Sequence, residues 1–145
     1  MVHISMSAAI AALGLALLAA AFELRTKRIP NLLVLPAIPL AGLLGIVDGA
    51  WADHAFGLLA GIIVGIIAYS REAVGGGLLK LMAAVSGFLG IQLTPVLMAA
   101  VALAFPVAAF VLGHFHVRKR ADWIVGSPFV VGACIVALLA DRFLP

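Results

Sequence analysis

Apolar runs separated by short polar breaks fill almost the whole chain, and this pattern constrains the fold more than any other feature. Residues 4–22, 29–47, 55–69, 78–91, 94–112 and 128–140 are such runs. A helix crossing the hydrocarbon of a bilayer needs about 20 apolar residues, with roughly 17 to 25 as the usual range. The run 4–22 meets this cleanly. The fourth and sixth are short, but a short helix can tilt or stop partway in a cavity. Composition agrees, because 66% of the 145 residues are hydrophobic and only 10% are charged. A soluble domain is nearer a quarter charged, so this chain lacks the polar surface to cover itself in water. The predicted fold is all-α: a polytopic integral membrane protein with about six transmembrane helices. It forms a single domain over residues 1–145.

The charges say which way the helices run. Arg25, Lys27 and Arg28 lie in the first gap, Arg71 and Lys80 flank the third, and Arg118, Lys119 and Arg120 lie in the fifth. The second gap carries Asp48 and Asp53, and the fourth has no charge. Lys and Arg mark cytoplasmic loops. Six helices satisfy that rule with Arg142 as the exception, and both termini then face outward. The expected location is the cytoplasmic (inner) membrane, multi-pass, with the lipid bilayer as solvent. The net charge of +3 therefore sets topology, and nucleic acid is not an expected partner. The Ala19-Ala20-Ala21 stretch resembles a signal-peptide cleavage site, but a signal peptide carries its positive charge before the apolar core. Here the charge follows, so the first helix is expected to stay.

Several features have bland readings. Cys134 lies alone in an apolar run, where a buried, inert thiol is expected. Gly57, Gly61 and Gly65 fall along one helical face and predict tight internal packing rather than a dimer seam. A homo-oligomer stays open. Pro36, Pro39 and Pro106 predict bent helices. His114 and His116 lack a third ligand for a metal, and no cofactor is expected. Arg118 to Arg120 predict a loop anchored at anionic headgroups.

Two stretches carry the chemistry. Glu23-Leu-Arg-Thr-Lys-Arg-Ile-Pro-Asn31 lies where the first helix gives way to the second. Gly75-Gly-Gly-Leu-Leu-Lys-Leu-Met-Ala-Ala84 opens the fourth. The second is not a phosphate loop, since no Gly-Lys-Ser/Thr follows. Its glycines predict a tight backbone turn into the helix.

Together these stretches resemble the signature of the short prepilin peptidases, the GxGD-type membrane aspartic proteases of the type IV leader peptidase family. The family's first motif is an aspartate, a basic stretch and Ile-Pro-Asn. Its second is Gly-x-Gly-Asp followed closely by lysine. Gly57-Leu-Leu-Ala-Gly61 and Gly126-Ser-Pro-Phe-Val-Val-Gly132 add to the likeness, which covers essentially the whole chain. The resemblance implies cleavage of the basic leader of prepilins at the cytoplasmic membrane face, in biogenesis of type IV or tight-adherence pili. The partner it implies is a prepilin or pilin-like transmembrane helix. The cysteine-rich methyltransferase segment of the longer family members has no counterpart here.

Residue by residue, the resemblance places Glu23 at the first catalytic aspartate and Leu78 at the second. Arg28, Pro30, Asn31, Gly75, Gly77 and Lys80 match motif-supporting positions. It also implies that residues 23 and 78 face each other across a cytoplasm-facing cavity. An aspartic protease needs two carboxylates sharing one proton. Glu23 keeps a carboxylate on a longer stem, whereas the alkyl chain of Leu78 neither moves a proton nor accepts a hydrogen bond. Glu72 and Asp122 are the acids near enough in sequence to be considered as substitutes. Three readings follow. The chain is an active peptidase using Glu23 and a different partner, or a silent family member that binds pilin-like helices or assists assembly, or a small membrane transporter. Against the last, no intramembrane acid, base or polar cluster marks a path. Glu23 also has a plain reading, pairing with Arg25, Lys27 or Arg28 at the interface.

Overall fold

Ser5 starts the first helix by a standard device. Its backbone is extended, and its Oγ accepts a hydrogen bond from Ala8 N at 3.2 Å. The computed structural model describes residues 5–71, 74–114 and 126–143. Helix α1 runs Met6–Thr26 and continues one turn beyond the apolar run, so Glu23 is helical rather than part of a loop. It stops at Lys27, whose left-handed backbone (φ 59°) turns the chain while its N–H returns to Glu23 O at 2.8 Å. Pro30 then opens α2 (Asn31–Val34), and Pro36 opens α3 (Ala37–Val47). One expected crossing is thus two helices meeting at a proline, which has no N–H to continue the ladder. Helix α4 spans Trp51–Ser70, α5 spans Gly76–His114, and α6 spans Ser127–Phe143.

All described regular structure is helical, as expected for an all-α membrane protein. The count of long spans differs. Among the described residues three helices are long and apolar enough to cross a membrane: Met6–Thr26, Trp51–Ser70 and Gly76–Ala104. Asn31–Val47 and Ser127–Asp141 are shorter apolar segments. The fourth and fifth expected helices are merged in α5, and Gly90 interrupts them with φ 74° and ψ 173°. That interruption must be a sharp bend. A straight helix from Leu78 to His114 would be about 54 Å long. Chain from His114 to Gly126 reaches at most about 43 Å. Yet Gly126 lies against Leu78, where a Cβ on the glycine would sit 2.5 Å from Leu78 Cδ2.

Helix α5 touches every other helix, and residues 81–90 are buried on all sides. Its first half runs antiparallel to α4 along the glycine face. A Cβ at Gly57 would lie 2.7 Å from Gly90 C, one at Gly61 would lie 2.9 Å from Ala83 Cα, and one at Gly65 would lie 3.0 Å from Leu79 Cγ. The glycines do mediate internal packing. Polar side chains are buried here too: His54, Ser86 and Thr94. His54 Nδ1 bonds to Gly87 O at 2.8 Å, and Thr94 Oγ1 donates to Gly90 O at 2.7 Å. The His54 bond ties α4 to α5, and the Thr94 bond stays within α5, where it takes up a carbonyl at the bend. Ser86 Oγ is buried there without a partner among the described residues.

Candidate functional site

The two motifs meet at the end of the bundle that carries the basic residues. Lys27 turns the chain out of α1, Ile29 lies across the start of α5, and Asn31 begins α2. A Cβ on Gly77 would lie 3.1 Å from Ile29 Cβ, which makes Gly77 a packing glycine. Among the described residues, the glycines with positive φ are Gly49 and Gly90, so Gly75 and Gly77 do not make a left-handed turn. Gly75 instead contributes its carbonyl, which accepts from Leu79 N at 3.1 Å. Lys80 Nζ donates to Asn31 Oδ1 at 2.9 Å, a second link between the motifs. Pro30 sits just before α2 as its cap residue, and Arg28 is exposed.

Glu23 points to α6. Its Oε2 accepts a hydrogen bond from Ser127 N at 2.7 Å and another from Ser127 Oγ. Among the described residues these are the partners of its carboxylate, and Arg25, Lys27 and Arg28 are not among them. The plain reading of an interfacial ion pair is therefore replaced by a helix cap. Leu78 is 5% exposed and belongs to the apolar core. Its side chain packs on Gly126, the neighbour of Ser127. Positions 23 and 78 thus converge on adjacent residues at the start of α6. The isobutyl group of Leu78 lies in packed core rather than at the wall of an open cavity.

The chemistry of this corner is limited. Among the described residues one carboxylate is present at the corner, and one of its oxygens already holds an amide and a hydroxyl. A neutral alkyl group, Leu78, stands at the position where the resemblance implies a second acid. Arg25, Lys27, Arg28 and Arg71 are exposed at the same end of the bundle. Glu72, Asp122, His116, Arg118, Lys119 and Arg120 lie outside the described residues, and the His114 side chain does as well.

Ser127 is the site residue whose role sequence reasoning missed. The Ser-Pro pair opening a helix was a usable signal, since proline favours the first turn and serine the positions beside it. Nothing in the sequence tied that serine to Glu23, 104 residues away. The Lys80–Asn31 link was equally out of reach, because it depends on how α2 and α5 cross.

The model of the type IV leader peptidase family matches residues 10–140. No curated protein and no solved structure matches the chain.

Proposed function

The chain belongs to the type IV leader peptidase family, and from that membership we propose a leader-peptidase-like membrane protein that binds a prepilin-type helix without cutting it. The observation carrying this reading is Leu78, buried against Gly126 where the second carboxylate should stand. The family's chemistry needs one acid to take a proton from water and another to polarise the peptide carbonyl. Groups that act as a unit are not partly useful, and losing one costs nearly as much as losing all. Glu23 Oε2 is also engaged with Ser127, which gives the remaining acid a structural task. What survives is the frame: apolar helices in lipid, and two motifs linked through Asn31 and Lys80. That frame suits recognition of a hydrophobic pilin helix in type IV or tight-adherence pilus assembly. A prepilin co-expressed in a peptidase-null host is expected to co-purify with the protein in detergent. Failure of every prepilin in a panel to do so would remove the binding half of the proposal.

The protein is placed in the cytoplasmic membrane with its motif end inside and both termini outside. The distribution of Lys and Arg supports this. Trp51 begins α4 at the opposite end and is 65% exposed. Trp51→Cys in a Cys134→Ser background should label with an impermeant thiol reagent from outside. Labelling only from the cytoplasmic side would contradict this topology.

A further inference from the structure

We infer that Glu23 is an interhelical cap, holding the first turn of α6 on the last turn of α1, and that this is why position 23 carries glutamate. This deepens the silent reading of the site and rests on it in one respect: the carboxylate is assigned to holding two helices together and not to the handling of a water.

The start of α6 has a specific need. Helix N-termini leave N–H groups without intrahelical acceptors. Pro128 has no N–H, and Phe129 N donates to Gly126 O at 3.1 Å. The amide of Ser127 remains, and Ser127 is 0% exposed, so water does not serve it. A buried donor without an acceptor is costly. Glu23 Oε2 meets it at 2.7 Å and takes the Ser127 hydroxyl as well. A negative group here also suits the positive end of the helix dipole.

Side-chain length decides the residue type. Aspartate is one methylene shorter and would draw the carboxylate back by about 1.5 Å, one carbon–carbon bond. Both Ser127 donors would then fall outside hydrogen-bond range. Leu78 fills the neighbouring space on Gly126, so α1, α5 and α6 lock at one corner. The glutamate and the leucine are two parts of one closed arrangement.

The test is a double-mutant cycle on the full chain in detergent, read as Tm. Glu23→Ala and Glu23→Asp should each lower Tm by roughly 5 °C or more, the scale of losing a hydrogen bond to a charged group. Ser127→Ala should cost less, because its amide still reaches Glu23. Glu23→Ala with Ser127→Ala should melt within about 1 °C of Glu23→Ala alone, since a shared interaction is lost only once. If Glu23→Ala does not fold, Glu23→Asp, which withdraws the acceptor but keeps the charge, takes its place in the cycle. Additive losses, or a Glu23→Asp variant melting with the unmodified chain, would overturn the cap. Cleavage is scored separately. Cleavage by the unmodified chain with the coupling intact sinks only the silent reading, and additive losses without cleavage sink only the cap.

Discussion

Leu78→Asp is expected to destabilise the protein by about 3–5 kcal/mol, the range for placing an uncompensated charge in a packed core. Two losses combine. Leu78 is 5% exposed and packed against Gly126, so shortening it forfeits apolar burial and opens a gap. Leu→Ala changes at such sites cost ~2–5 kcal/mol by themselves. The new carboxylate would also lie near that of Glu23, because Gly126 and Ser127 are adjacent. Two acids so close cannot both ionise at ordinary cost. Leu78→Ala separates the gap from the charge, and Leu78→Asn adds polarity without charge. Thermal melts should rank the unmodified chain first, then Leu78→Ala, with Leu78→Asp last. If Leu78→Asp melts with the unmodified chain, position 78 faces water and the closed corner is wrong. Such an outcome would reopen the case for a working site.

Gly57→Leu should give no folded protein. A Cβ at this position would lie 2.7 Å from Gly90 C and 2.9 Å from Gly90 Cα, and it would also press on Ser86 O. These are backbone atoms at the bend of α5, where Gly90 already has positive φ against the Asp53 carboxylate. None can swing aside as a side-chain tip does. Even Gly57→Ala must part α4 from α5, with an overpacking cost of about 1–3 kcal/mol or more. Gly65→Ala is the contrast. Its Cβ would first meet Leu79 Cγ at 3.0 Å, an adjustable side chain, with Leu79 Cα at 3.6 Å. Yields of monodisperse protein in detergent should fall from Gly65→Ala through Gly57→Ala to Gly57→Leu. Equal yields for the two alanine variants would show that the α4–α5 seam is looser than described.

What the sequence revealed follows from which interactions are local. The all-helical membrane fold was legible because lipid leaves few ways to satisfy a backbone, and apolar runs report it directly. The α4 face was legible because Gly57, Gly61 and Gly65 recur at helical spacing. The motifs at 23–31 and 75–84 were legible as a pair. The count of six separate spans was not reached. Pro36 divides one run into two helices, and a single residue, Gly90, sets the bend between two others. The division at Pro36 leaves no polar gap to read, whereas the bend at Gly90 falls beside the uncharged break between residues 91 and 94. Glu23 looked like a loop residue beside three cations, yet the helix continues to Thr26 and turns its carboxylate to Ser127. That contact depends on the docking of α1 against α6, which no local pattern encodes.

Whether the chain cuts a prepilin is read from the mass of that prepilin's N-terminus. Prepilins would be expressed with the unmodified chain in a peptidase-null host and isolated from membranes. Glu23→Ala and the Glu23→Asp/Leu78→Asp double variant would be run beside it. Intact leaders are expected with the unmodified chain and with Glu23→Ala. Any cleavage should come from the double variant, which restores both acids. Efficient removal of the leader by the unmodified chain, abolished by Glu23→Ala, would contradict the silent reading.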